Sequence, residues 1–367
     1  MINFMSSFFL TYTPYHVIVA CGIASRIDNS VEKKLIIIED FQNAELFRQA
    51  IINWHKNPFS EIILLKSTYY SFNKGDSVRT ECIIKKINAI KKMLEKKGAL
   101  TTYIFNDWNP EAQILAKINK NNFGRNIYVE DGFAAYGNNL MKKISFLNLL
   151  RYKWNFGSFF DSIQVLGSSG SIDGIMVFYP EFIRNELKNK KIIALPQSLL
   201  KDFDSDLIDN ILSTFKIPVS QFDAIILINN SETYSLNQKN EMQQFYNKLI
   251  CSLDSSNKIL IKYHPREKNE NFLEFSETEK IKICPCAVPI ELMLLKMKKN
   301  PPKYLFCEGF TTALLTANLI FSNEIKKVCF HYLLNNDKHD PSIDNLAKQF
   351  EILLPRTISD MDCLIFS

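Results

Sequence analysis

The sequence predicts an α/β fold of two parallel-sheet domains, and three observations carry that prediction. At 367 residues the chain exceeds one ordinary core, since domains run roughly 100 to 200 residues. Hydrophobic residues make up 46% and charged residues 23%, a balance that lets the chain bury a sizeable core and excludes disorder. Short runs rich in β-branched and aromatic residues alternate with segments of helical periodicity, the pattern of parallel strands covered by helices on both faces.

In the first half the strands are expected at 6–11, 34–40, 61–66, 101–107 and 126–132, with helices over 43–54, 79–97 and 110–119. Together they predict a Rossmann-like domain over residues 1–160. The alternation loosens through GSSGSIDG at 167–174, flanked by short strands near 162–167 and 192–197, so 161–215 reads as a linker or boundary region. It resumes with strands at 222–230, 258–265, 280–285, 304–310 and 326–334. Helices are expected over 238–253, from near Pro289, and over 312–321, which gives a second Rossmann-like domain over 216–367. The Asn/Lys-rich NKNN at 119–122 reads as a loop.

A net charge of +5 without a concentrated basic stripe argues against nucleic acid and is compatible with an anionic substrate or membrane surface. The eight cysteines lie mostly in apolar runs, as around Cys307 and Cys329, and are expected to be free thiols in a reducing compartment. Cys284 and Cys286 form a C-P-C pair with no second pair to complete a zinc site, so no metal is expected. The apolar start of the chain lacks a basic leader and is interrupted by Tyr12, Thr13, Pro14 and His16; neither a signal peptide nor a spanning helix is expected, and the location is read as cytoplasmic.

Open α/β sheets bind ligands beyond the carboxyl ends of their strands, so the polar residues after each apolar run are the ones to read. Four groups stand there: Thr13-Pro14-Tyr15-His16, Glu130-Asp131-Gly132, Tyr263-His264-Pro265-Arg266, and Glu308-Gly309-Phe310-Thr311-Thr312. Adjacent strand residues point to opposite faces, so one of Glu130 and Asp131 can face a ligand while the other anchors the turn; a turn-capping Asp-Gly is the plainer alternative. His264 ends a strand that Pro265 prevents from continuing, and its imidazole can donate to a phosphate oxygen or simply terminate the strand. Thr311 and Thr312 open a helix whose first N–H groups either are capped or hold an anion. Glu291 sits in the first turn of a helix begun by Pro289, where the dipole favours an acid and where it could accept hydrogen bonds from a ribose. Asp204-Ser205-Asp206 has the D-x-D form of a metal-binding motif but follows no strand, so it reads as a solvated helix start.

Taken in order, these motifs resemble the bacterial sialyltransferases of the lipooligosaccharide and capsule type, glycosyltransferase family 52 first, with the bacterial polysialyltransferases as relatives. Those families share two acidic residues before a glycine, a His-Pro pair and paired hydroxyl residues, here Glu130-Asp131-Gly132, His264-Pro265 and Thr311-Thr312. The resemblance implies a GT-B fold, two Rossmann-like domains facing each other across a cleft, and inverting, metal-independent transfer from CMP-sialic acid to a hydroxyl of a cell-surface glycan or glycolipid. By position it makes Glu130 the first choice for the base and Asp131 the second, with His264 the acid or hydrogen-bond donor to the departing CMP phosphate. Thr311 and Thr312 would bind the CMP phosphate and Glu291 the cytidine ribose, with Pro265 and Gly309 in the same donor-binding set. Two threonines depart from the commoner Ser-Ser or Ser-Thr. No cofactor is implied beyond the donor substrate, and a homodimer is entertained.

Residues 141–160, MKKISFLNLLRYKWNFGSFF, mix Lys142, Lys143, Arg151 and Lys153 with many apolar residues. The segment reads either as an inner-membrane contact or as a buried helix with a basic edge in solvent. Two rival functions stay open at this level: a transferase of Kdo or another CMP-activated acidic sugar, and an inactive GT-B-like module that binds nucleotide or glycan.

Overall fold

The computed structural model describes residues 6–67, 76–95, 97–137, 140–215, 221–234, 236–269, 271–335 and 341–366. The chain divides into two compact units, Met1–Ile211 and Leu212–Ser367.

Unit 1 alternates strand and helix: β1 Ser6–Thr11, α1 Pro14–Ala24, β2 Glu32–Ile38, α2 Ala44–Ile52, β3 Glu61–Leu65, α3 Asp76–Leu94, β4 Thr101–Ile104, α4 Pro110–Asn121, β5 Arg125–Val129, α5 Phe146–Phe156, β6 Gly174–Val177, β7 Lys191–Ala194, α6 Ser198–Lys201 and α7 Ser205–Ser213, the last crossing the unit boundary. Its seven strands lie in the order β3-β2-β1-β4-β5-β6-β7, all parallel. The middle strands are almost continuously buried, as expected when helices cover both faces, and Phe9 of β1 stacks on Tyr103 of β4 at 4.5 Å. Helix α1 starts where Thr13, in an extended conformation, accepts the His16 N–H and Pro14 takes the first helical position. It is buried on every side, with Gly22 leaving room for Leu199; a Cβ there would come within 2.5 Å of that side chain.

Unit 2 contains β8 Ala224–Ile228, α8 Leu236–Ser252, β9 Ile259–Tyr263, β10 Ile281–Cys284, α9 Ile290–Lys296, β11 Tyr304–Cys307, α10 Thr312–Phe321, β12 Lys326–Cys329, α11 His331–Asn335, α12 Pro341–Gln349, β13 Ile352–Leu353 and α13 Ile358–Phe366. Six parallel strands run β10-β9-β8-β11-β12-β13. A core of Ile226, Tyr246, Ile261, Phe306 and Phe330 packs on one face, with Phe306 stacked on Phe330 at 5.7 Å. In both units the first strand is central and the order reverses beside it, between β1 and β4 and between β8 and β11. Those are the switch points where ligands bind in such sheets.

Residues 161–211, read from sequence as a boundary region, instead complete the first sheet. β6 is only four residues, too short to announce itself, β7 overlaps the strand expected near 192–197, and the polar loop before them is held by side chains rather than by a strand pattern. The Asp107 carboxylate accepts the N–H groups of Gly167 (2.8 Å) and Ser169 (3.1 Å), and the Lys190 ammonium donates to the carbonyls of Ser169 and Ile172 (2.8 Å each). The strand expected at 162–167 is irregular backbone whose Ile163, Val165 and Leu166 are buried. At 326–334 the strand stops at Cys329 and helix α11 follows from His331. Asp204 accepts the Asp206 N–H at the start of α7 and pairs with Lys56 at 2.7 Å. Residue 96, inside the helix expected over 79–97, lies outside the described residues.

Candidate active site

In unit 1 the polar residues after β1 and β5 converge. Glu130 follows β5 and turns inward, fully buried; its Oε1 accepts the Tyr15 hydroxyl at 3.0 Å, and its Oε2 accepts the Tyr136 hydroxyl and the Phe178 N–H at 2.8 Å. Burial pushes its carboxyl up to about 7, against the pull of the two hydroxyls and the amide toward the ionised form. Asp131 points the other way, its side chain 27% exposed, and its Oδ1 lies 2.7 Å from Nε2 of His16. His16 is wholly buried, stacked on Phe105 at the end of β4 with ring centroids 4.7 Å apart. The Tyr12 N–H donates to its Nδ1 at 3.2 Å, so the ring proton sits on Nε2 and is donated to Asp131. Gly132 takes a positive φ of 56°, the left-handed turn that sends the chain away directly after the acid pair.

The two neighbouring carboxylates therefore divide their work. Glu130, the first choice for a base on sequence, has both oxygens occupied and no exposed surface, whereas Asp131 keeps solvent-facing surface and a fixed orientation. The preference between them reverses on that geometry. Sequence reading marked out Tyr15 and His16 as strand-end residues without assigning them a role, and it missed Tyr136 and the Phe178 amide altogether. A hydroxyl six residues downstream and one 115 residues upstream carry no spacing that announces a shared partner.

In unit 2 His264 directly follows β9 and is half-buried. Its Nδ1 accepts the Arg266 N–H at 3.1 Å, which leaves the ring proton on Nε2. Burial, with Arg266 and Lys262 nearby, lowers its pKa to about 4, so the imidazole is neutral at physiological pH. Lys262 is itself buried and spends its ammonium on the carbonyls of Tyr263 (2.8 Å) and Cys286 (2.9 Å). Pro265 is exposed, next to the turn that the Glu267 N–H closes onto the His264 carbonyl at 2.9 Å.

After β11, Glu308 is buried and accepts the hydroxyls of Tyr234 and, at 2.7 Å, Tyr246; burial raises its pKa. Gly309 comes next, with open space where a Cβ would stand. Thr311 is the N-cap of α10 and accepts the Ala313 N–H at 3.3 Å; Thr312 is the first helical residue, and both threonines are half-buried. The loop after β8 ties these segments together, because the Ser231 N–H donates to Glu267 at 2.6 Å beside the His264 turn while Tyr234 reaches Glu308. Glu291 stands in the first turn of α9, a helix that packs against α10.

Two parallel-sheet units of this kind, each with its polar residues gathered beyond the strand ends, define the GT-B class of glycosyltransferases and related sugar-nucleotide enzymes. The solved structures agree on the fold. UDP-GlcNAc 2-epimerase from Methanocaldococcus jannaschii, in complex with UDP-GlcNAc and UDP, is similar at 12% identity and a TM-score of 0.59, covering 99% of this chain and 93% of the epimerase. TcCGT1 in complex with UDP is similar at 10% identity and a TM-score of 0.53, covering 98% and 87%. The UDP-GlcNAc 2-epimerase of Neisseria meningitidis bound to UDP-GlcNAc is similar at 12% and 0.50, covering 95% and 87%. No curated protein matches the chain.

Within that class, the model of the alpha-2,8-polysialyltransferase (POLYST) family matches residues 7–330, and the chain belongs to that family. The motifs had put glycosyltransferase family 52 first and the polysialyltransferases beside it; the match falls on the polysialyltransferases. The protein is thus a glycosyltransferase of the sialyltransferase type. Among the described residues no helix is long and apolar enough to cross a membrane.

Proposed function

We propose that the protein transfers sialic acid from CMP-sialic acid to a hydroxyl of a cell-surface glycan of the lipooligosaccharide or capsule type, with inversion and without a metal ion. The observation that carries this reading is the Asp131–His16 pair, a partly exposed carboxylate held at 2.7 Å by a wholly buried imidazole at the carboxyl edge of a sheet.

Asp131 is the base in this mechanism. It takes the proton of the acceptor hydroxyl as that oxygen attacks the anomeric carbon of the donor sugar, while the bond from that carbon to the phosphate oxygen breaks and its electron pair leaves with CMP. A positioned general base contributes about 10²- to 10⁴-fold. His16 donates from Nε2 throughout, which orients the carboxylate. Glu130 braces the turn from beneath.

The leaving phosphate gathers negative charge, and the unit 2 residues have the chemistry to receive it. His264 presents Nε2–H; being neutral, it acts as a hydrogen-bond donor rather than a proton donor, which suffices for a leaving group as stable as CMP. Thr311 and Thr312 offer hydroxyls beside the first N–H groups of α10, where the helix dipole favours an anion. Gly309 leaves the backbone open to close approach, Pro265 fixes the turn that holds His264, and Glu291 accepts the ribose hydroxyls.

The test is incubation with CMP-sialic acid and a panel of galactoside and oligosialoside acceptors, run beside CMP-Kdo, for wild type and for Asp131→Asn, His264→Ala and Glu130→Gln. The proposal expects sialyl transfer in the wild type and a loss of about 100-fold or more in the first two variants. Undiminished transfer by Asp131→Asn, or turnover of CMP-Kdo alone, overturns it.

A further inference from the structure

Helix α5 shows solvent an apolar face. At 100° per residue, Phe146, Leu147, Leu150 and Trp154 fall within one arc of about 100°, and they are 72, 77, 49 and 90% exposed. The opposite side anchors the helix to its own unit: Tyr152 and Phe156 cluster with Phe160, at ring-centroid distances of 5.4 to 5.8 Å, and Phe156 is buried. A helix that only completed the core would show the reverse, so the choice between a membrane contact and a buried helix with a basic edge falls against the second. Exposed Leu140 adds to the apolar surface on the approach to the helix.

The charges carried by this segment are of one sign. Arg151 and Lys153 fall on the two flanks of the apolar arc, Lys142 and Lys143 precede it, and no acidic residue occurs from 140 to 160. An apolar strip with aromatic anchors and basic flanks matches a bilayer interface that carries anionic headgroups: the rings and leucines enter the acyl boundary while the long basic side chains reach the phosphates. A protein partner of ordinary composition would supply acids for those flanks or an apolar groove for the face. A bilayer supplies both along the whole length of the helix.

We infer that α5 is a membrane-docking helix that lies in the plane of an anionic bilayer, with Phe146, Leu147, Leu150 and Trp154 inserted and Lys142, Lys143, Arg151 and Lys153 on the headgroups. The inference is independent of which sugar is transferred, because its readout is lipid binding.

The experiment is sedimentation of the full chain with phosphatidylglycerol-containing vesicles and with pure phosphatidylcholine vesicles, together with tryptophan emission and the sedimentation coefficient without lipid. Wild type should pellet with the anionic vesicles, release at high salt, and shift its emission to shorter wavelength on binding. Leu147→Ser combined with Trp154→Ser should lower partitioning at least tenfold, and Lys142→Gln with Lys143→Gln severalfold. Both double variants change exposed side chains and should retain wild-type transfer to a soluble acceptor. Equal pelleting of wild type and Leu147→Ser/Trp154→Ser overturns the inference, as does absence of binding. Lipid-free self-association abolished by that variant would assign the face to a second copy of the chain and overturn it equally.

Discussion

Glu130 follows β5, two strands from β1, and Glu308 follows β11, directly beside β8, yet the two are built alike. Each is a buried carboxylate at a strand end, each accepts two tyrosine hydroxyls, and each has its pKa raised by burial. The residues on their carboxyl side differ. Beyond Glu130 comes Asp131, held by His16 and partly exposed; beyond Glu308 come Gly309 and two threonines that open a helix. In the proposed mechanism the same kind of internal brace supports a proton acceptor in one unit and a set of hydrogen-bond donors in the other. Sequence draws attention to the glutamates, but in both places the side chain with room to meet a substrate is a neighbour.

The sharpest way to break that comparison is to exchange the roles of the adjacent acids. Asp131→Asn should reduce kcat by about 100-fold or more with the melting temperature nearly unchanged, because the substitution keeps the shape and removes the proton acceptor. Glu130→Gln should act mainly on stability, read from thermal melts across pH. The Glu130 carboxyl titrates at about 7 in the folded chain against an ordinary value of 4.5, so between those values the folded state holds a proton that the unfolded state has released. Its contribution to stability is full below 4.5 and is lost as pH rises through 7, a change of about 3 kcal/mol. The gap between wild type and Glu130→Gln should therefore be most favourable to wild type near pH 4.5 and shrink toward pH 8. A pH-independent gap would show that the brace is not titrating.

Smaller effects sharpen the contrast. His16→Phe keeps the stack on Phe105 and deletes the donor to Asp131; about a tenfold fall in kcat with an unchanged KM for the donor is expected. In unit 2, Thr311→Ala removes the α10 cap and should cost about 1 kcal/mol in denaturant unfolding. Gly309→Ala meets no protein atom, so the fold should be unchanged while CMP affinity, measured by calorimetry, falls severalfold.

Much of the architecture was legible because the signals are local. Helix α10 is readable from Thr311 at its cap and the apolar run behind it, and β9 ends at the His-Pro step that sequence marks. β6 was not legible, since the four-residue strand holds its place through Asp107 and Lys190, contacts made across some 20 to 60 residues of chain, whereas β7 overlaps the strand expected near 192–197. The same physics limited the site. The strand-end positions of Glu130, Asp131 and His264 are set by the apolar runs before them, but the inward turn of Glu130 depends on Tyr15, Tyr136 and the Phe178 amide. Composition likewise marked the mixture of basic and apolar residues in 141–160 without saying which side of α5 meets the core.

The clasp of Asp107 on Gly167 and Ser169 also bears on how the gene can be divided. A fragment ending at residue 160 would forfeit β6, strip β5 of the neighbour that pairs with it along Ile127–Val129, and leave the Glu130 oxygen without the Phe178 amide. Such a half would present a bare sheet margin prone to precipitate. Shuffling of donor modules among relatives should tolerate junctions near the end of α7 and fail at junctions placed in the glycine-serine stretch, however much that stretch looks like a seam.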